Sequence, residues 1–241
     1  MFRLFTEPHN ISAGSVRLGA EDSEHIRSLR LRPDEVFIVC DGSGTDYVCR
    51  LGRRDFNSVA EIIEKRLSTG EPAIKCRVFI AYSKGDRLDY AVQKSVELGA
   101  FEIILFESER CVAVPHDIPK KITRLQRIAL ETAKQCNRGI IPSVTSCGNL
   151  NDVICEVKKD SGLPLFFYED ETGLHLKDVL EQHDTVAVSI ITGPEGGFET
   201  HEAELARTEN IHIVSLGPRI LRSETAPVAA LAAIMYHTGN F

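Results

Sequence analysis

Two short segments near the C-terminus carry the residue types from which a ligand site is built. The first, Thr192-Gly193-Pro194-Glu195-Gly196-Gly197-Phe198, follows the apolar run Val186–Ile191. Its three glycines let the backbone approach a ligand closely and leave N–H groups open to it. The second, Gly217-Pro218-Arg219-Ile220-Leu221-Arg222-Ser223-Glu224-Thr225-Ala226-Pro227, follows Ile211–Leu216 and brings two arginines and a glutamate to a helix start. Alone, each has a plainer reading. The first is then an ordinary strand-to-helix turn, with neither Gly-Lys-Ser/Thr nor a GxGxxG fingerprint. The second is then a helix start capped by Ser223, with Glu224 favoured by the helix dipole. A capped helix start is also a good place for a ligand. In open α/β sheets ligands bind at the carboxyl ends of strands, where both segments fall.

The elements that must position these loops can be read from the hydrophobic pattern. Up to Ser68-Thr69-Gly70-Glu71-Pro72 the chain shows short β-type stretches: Val36–Cys40, a turn at Asp41-Gly42-Ser43-Gly44, Tyr47–Leu51 and Val59–Leu67. That pattern predicts a hairpin within a small β-rich unit. Beyond Pro72, strands at Cys76–Tyr82, Glu102–Phe106, Leu163–Tyr168, Val186–Thr192 and Ile211–Leu216 alternate with helices at Asp86–Leu98, Ile118–Cys136, Leu174–Glu181, Thr200–Glu209 and Thr225–His237. Alternation of this kind predicts a layered α/β unit with a parallel sheet.

Composition narrows the function classes. The chain has 241 residues, 43% hydrophobic and 26% charged, enough for a buried core. It shows no signal-peptide pattern and no apolar run long enough to span a bilayer, so a cytoplasmic protein without a membrane partner is expected. Seven cysteines, none in a CxxC pair, read as reduced thiols, with neither a disulfide framework nor a metal site. The net charge of −7 is a poor starting point for nucleic-acid binding, so any basic footprint must be local. One such footprint lies on the long helix, where Lys120, Arg124, Arg127, Lys134 and Arg138 recur at offsets of 0, 4, 7, 14 and 18 on one face, interrupted by Glu131. Arg27, Arg30 and Arg32, beside His25, and Arg50, Arg53 and Arg54 form two more clusters. They sit within an N-terminal stretch of ten basic and twelve acidic residues.

Together the two C-terminal loops resemble those of the uracil-N3 methyltransferases of 16S ribosomal RNA, in the knotted SPOUT superfamily. Ser83-Lys84-Gly85-Asp86-Arg87, Gln93–Gly99, Glu107-Ser108-Glu109-Arg110-Cys111, Gln135-Cys136-Asn137-Arg138 and His25–Asp34 resemble further segments of that family, so the likeness covers nearly the whole chain. Pro33 stands where glycine is expected, and Cys111 where serine is.

The resemblance implies a PUA-like, RNA-binding β-barrel over residues 1–70. It implies a knotted α/β methyltransferase domain over residues 73–241, with a deep trefoil that periodicity could not reveal. It also implies S-adenosyl-L-methionine as cofactor, a homodimer, and 16S rRNA or the small ribosomal subunit as partner. The cofactor is expected on Thr192, Gly193, Pro194, Glu195, Gly196 and Gly197, on Leu216, Gly217, Ile220, Leu221, Arg222, Thr225 and Ala226, and on Tyr168 and Glu169 at another strand end. Arg138, by analogy with other SPOUT enzymes, Arg222 and Glu224 are the expected catalytic residues, and Glu195 is a second candidate proton acceptor. RNA contacts are expected from His25, Arg27, Arg30, Arg32, Lys84, Arg110, Arg124, Arg127 and Lys134. Two rivals share this fold: a SPOUT methyltransferase acting on another RNA, and an RNA-binding protein that has lost catalysis. The intact Gly193–Gly197 loop, Arg138 and Arg222 argue against the second.

Overall fold

A computed structural model describes residues 2–28, 30–32, 35–51, 59–159, 161–184 and 186–241. Leu29, Pro33, Asp34, Arg53 and Arg54 therefore lie outside the described residues. The chain divides into two compact units, Met1–Glu71 with Glu131–Ile141, and Pro72–Leu130 with Pro142–Phe241.

In the first unit β1 (Arg3–Phe5), β2 (Ser15–Arg17), β3 (Val36–Cys40), β4 (Thr45–Leu51) and β5 (Val59–Leu67) form a mixed sheet in the order β1-β3-β4-β5-β2. The expected hairpin is β3–β4. Asp41 closes its turn by accepting hydrogen bonds from the Ser43 N–H at 2.8 Å and the Thr45 N–H at 3.2 Å, and Gly42 and Gly44 supply positive φ. One helix, α1 (Ala20–Ser28), buries Ile26 against a core of Leu4, Val16, Phe37 and Val39. The charged side chains in this core are paired. Arg3 donates to both oxygens of Asp46, at 2.7 and 2.8 Å, and Ser68 donates to the same carboxylate. Removing either partner would leave a buried charge uncompensated.

The second unit holds a six-stranded sheet in which every pairing is parallel: β6 (Lys75–Ala81), β7 (Glu102–Glu107), β8 (Ser143–Asn149), β9 (Leu163–Phe167), β10 (Ala187–Thr192) and β11 (His212–Val214). The order is β11-β9-β10-β6-β7-β8. Its helices are α2 (Arg87–Glu97), α3 (Ile118–Gln135), whose residues from Glu131 on cluster with the first unit, α4 (Leu150–Val157), α5 (Leu176–Gln182), α6 (Thr200–Thr208) and α7 (Thr225–His237). Crossover helices cover both faces of a parallel sheet, which is why its strands read as continuous apolar runs. Val78, Phe79, Ile80 and Ala81 are all buried, for example. The sequence pattern does not mark β8. It is an edge strand that buries only Val144, and its other residues are polar or small. Placing β11, β9 and β10 side by side brings their carboxyl ends to one place. Among the described residues, no helix is long and apolar enough to cross a membrane.

Candidate active site

The first loop is fixed at both ends by the sheet. Thr192 is fully buried and donates its hydroxyl to the Phe79 carbonyl of β6 at 3.3 Å. The Gly197 N–H closes the turn onto the Pro194 carbonyl at 3.0 Å. Phe198 then enters the core, its ring centroid 4.1 Å from that of Phe166. This packing explains Gly193, where a Cβ would stand 3.0 Å from the Phe198 ring. Gly197 has φ +68°, and a Cβ there would run into the Glu169 carboxylate. A Cβ on Gly196 would instead meet Arg110, 3.0 Å from its Cβ.

Arg110 braces the loop from outside. Its guanidinium grips Glu199 with two hydrogen bonds, at 2.6 and 2.8 Å, and the Gly196 carbonyl with a third at 3.0 Å. The pairing holds the Glu199 carboxyl below the usual carboxylate range. Glu202, buried in the first turn of α6, accepts from the Ser108 hydroxyl at 3.2 Å and from the Glu109 N–H at 3.2 Å. The Ser108–Cys111 stretch is thereby tied to the loop.

Arg87, at the start of α2, links the two loops. It donates to Glu195 Oε1 at 2.5 Å, and its Nε lies 3.7 Å from Glu224 Oε2. The Lys84 N–H donates to the same Glu195 oxygen at 2.7 Å. Burial alone would raise the Glu195 carboxyl, but the Lys84 N–H, its own backbone N–H and Arg87 hold it below the usual range. No spacing rule could find this clamp, because Arg87 and Glu195 lie 108 residues apart.

The second loop leaves β11 through Gly217, which has φ +107° and open space around it, and whose N–H donates to the Ser215 hydroxyl at 3.1 Å. The Thr225 and Ala226 N–H groups fold back on the Arg222 carbonyl at 2.8 and 3.0 Å, winding the chain into α7. Ser223 does not cap that helix. Its hydroxyl donates to Glu224 Oε2 at 3.3 Å, and the cap residue, Glu224, makes no side-chain capping bond. Arg222 is exposed, and Ile220 is 86% exposed.

The loops after β9, β10 and β11 enclose a cavity of about 760 Å³. Tyr168, Glu169, Thr192, Gly193, Pro194, Glu195, Gly196, Gly197, Leu216, Gly217, Ile220, Leu221, Arg222 and Ala226 all line it. Thr225 lines a neighbouring cleft instead. Phe167, Glu171, His175 and Ser215 also line the cavity, and no motif announced them. The volume suits a cofactor-sized ligand. Its lining is mixed in charge, with the carboxylates of Glu169, Glu171, Glu195 and Glu224 set against Arg87, Arg219 and Arg222, and Phe167, Leu216 and Leu221 supply apolar wall.

The remaining expected residues are distributed over the two units. Arg138 belongs to the first, where it is 2% exposed and donates to Glu71 Oε2 at 2.7 Å. The Gly139 and Ile140 N–H groups donate to the other Glu71 oxygen, at 2.8 and 3.0 Å. The same unit holds Arg27 and Arg32, both exposed, and Arg30, which has φ 51°. It also holds His25, whose ring packs edge-on to Phe2, and Lys134, bonded to Glu131. In the second unit Arg124 pairs with Asp89, while Lys84 and Arg127 are exposed.

Comparison with known proteins agrees with this architecture. The RNA methyltransferase domain family matches residues 70–235, and the RNA methyltransferase PUA domain family matches residues 18–63. The ribosomal RNA small subunit methyltransferase E of Mesomycoplasma hyopneumoniae is 32% identical over 208 residues, 86% of this chain and 88% of that protein. A crystal structure of the Neisseria gonorrhoeae ribosomal RNA small subunit methyltransferase E bound to S-adenosyl methionine is 32% identical, with a TM-score of 0.87 over 98% of this chain and 97% of that one. A putative methyltransferase of Legionella pneumophila, solved with the same cofactor, is 27% identical, with a TM-score of 0.82 over 98% of this chain and 97% of that one. The loop cavity, its bracing residues and these likenesses converge: the chain belongs to the ribosomal RNA small subunit methyltransferase E family.

Proposed function

We propose that the protein transfers the methyl group of S-adenosylmethionine to N3 of one uridine of 16S rRNA, acting as a homodimer on the small ribosomal subunit. The coarser statement, an S-adenosylmethionine-dependent methyltransferase of small-subunit rRNA, rests on the family. The observation that carries the reading is the convergence of the β9, β10 and β11 ends on one glycine-lined cavity that carries both carboxylates and arginines.

S-adenosylmethionine supplies a methyl group on a positively charged sulfur, to which the carbon–sulfur electron pair returns. The backbone groups of Thr192–Gly197 and Leu216–Leu221 would hold its adenosine, with Gly197 leaving room for the Glu169 carboxylate where a Cβ would stand. Glu169 and Glu195 offset positive charge. Uracil N3 carries a proton at neutral pH and must lose it before its lone pair can take the methyl. Glu224, held beside Arg87, receives that proton in this reading. Arg222 stabilises negative charge on the uracil oxygens, since an arginine cannot act as an ordinary base. A positioned acceptor contributes roughly 10²–10⁴-fold. Arg138 is assigned to the uracil side, and donor binding does not depend on it in this reading. The basic residues of α3 and of the first unit position RNA through phosphates without reading its sequence.

The same reading carries a trefoil knot around the two loops and a cytoplasmic location, where small subunits are. Calorimetry with S-adenosylmethionine tests it, with one donor expected to bind per chain. Arg138→Ala is expected to abolish methyl transfer with donor affinity unchanged. Parallel loss of both would contradict its assignment, and no donor binding at millimolar concentration would favour a protein that has lost catalysis.

A further inference from the structure

Beside the donor cavity lies a second cleft of about 630 Å³, lined by Lys84, Gly85, Asp86, Arg87, Tyr90, Glu224 and Thr225. Arg87 and Glu224 line both spaces, so the two share a wall made by that pair. Tyr90 is on the outer face of α2, 48% exposed, while Leu88, Ala91, Val92 and Ser95 face inward. It stands three residues from Arg87, hence on the same side of the helix. Lys94 approaches its ring, with Nζ 6.0 Å from the centroid. Nothing in the donor chemistry uses this ring.

We propose that this cleft seats the acceptor uracil and that Tyr90 is the platform on which the base stacks. The inference rests on the methyl-transfer reading above and names the acceptor side of that site. An enzyme that modifies a base edge must take the base out of its stack, and an aromatic face replaces the stacking that is lost. A uracil ring also needs donors for its two carbonyl oxygens and an acceptor for N3–H. Lys84 and Arg87 supply donors beside Arg222, which lines the adjoining cavity, and Glu224 supplies the acceptor, around one aromatic ring. Stacking tolerates any planar base, so Tyr90 gives affinity and placement, and the flanking polar groups select uracil.

Wild-type enzyme, Tyr90→Ala and Tyr90→Phe are compared at steady state on small subunits lacking the mark. Donor affinity by calorimetry and oligomeric state by sedimentation are measured alongside. Tyr90→Ala is expected to lower kcat/KM for the subunit about tenfold or more, the usual size of a lost base-stacking contact. Donor affinity and oligomeric state should stay as in wild type, and Tyr90→Phe should restore turnover because the ring does the work. Unchanged kcat/KM in Tyr90→Ala overturns the proposal, and so does a Tyr90→Phe defect equal to that of alanine. A shift in oligomeric state that accompanies the loss also overturns it, since the ring would then cover a second copy of the chain. Wild-type enzyme that methylates nothing overturns the functional reading itself, a result distinct from all three.

Discussion

At the scale of single residues, the glycines of the first loop are not interchangeable. Gly196 turns the position of a Cβ toward Arg110, whereas Gly197 turns it onto Glu169 at φ +68°. Gly197→Ala adds a left-handed backbone cost of about 1–2 kcal/mol to the displacement of a cavity carboxylate. Donor affinity is expected to fall about tenfold or more by calorimetry, and affinity within twofold of wild type would contradict the role given to this position. Gly217→Ala has a strained φ but meets no neighbour, so its effect should be smaller. Arg110 was expected among the RNA contacts, yet its donors are engaged by Glu199 and the Gly196 carbonyl. Arg110→Ala is therefore expected to weaken donor binding before it weakens RNA binding, and titrations with each ligand separate the two. Glu195 gives a pH dependence with a definite sign. Its folded-state pKa is depressed, so its contribution is full above the unfolded value, about 4.3, and is lost as pH falls through the folded value. Glu195→Gln should flatten the decline of unfolding free energy in that acid window, and an unchanged slope would count against the Arg87 clamp.

At the scale of elements, the loop depends on Phe198, which anchors it between Phe166 and Phe106. Phe198→Ala should cost about 3–5 kcal/mol by denaturant unfolding, the range for a buried aromatic truncated to alanine. A loss below 1 kcal/mol would mean that the loop does not rely on the core. The apolar runs read as Val186–Ile191 and Leu163–Tyr168 were legible because a strand covered on both faces is largely apolar, although Val186 itself lies before β10 and is exposed. The loops that follow them were legible as glycine-rich and arginine-bearing. Ser143–Asn149 was not, because an edge strand with one buried side chain leaves no pattern to read. The expected cap at Ser223 failed for a local reason: its hydroxyl is taken by Glu224, the next residue. Arg87, Glu199 and Glu202 were invisible as site residues, because each acts through a partner brought near only by the fold.

At the scale of the molecule, sequence likeness supplied what periodicity could not, above all the pairing of a β-rich unit with a methyltransferase unit. The structure adds that Glu131–Ile141 clusters with the first unit, so Arg138 has its ion-pair partner Glu71 there. Helix α7 carries apolar residues on every side, with Ala233 exposed and Tyr236 81% exposed. An apolar face left open on a helix end-to-end hydrophobic is what a homodimer would cover. Ala233→Glu with Tyr236→Glu should therefore convert a dimer to a monomer in sedimentation, and an unchanged mass would place the dimer contact elsewhere. The acceptor atom distinguishes this enzyme from other rRNA methyltransferases. Small ribosomal subunits lacking the mark are incubated with the enzyme and S-adenosylmethionine, and the methylated nucleotide is mapped and its nucleoside identified. N3-methyluridine is expected at one position of 16S rRNA; a methyl group on a ribose 2′-hydroxyl, on another base, or on no nucleotide at all would contradict the assignment.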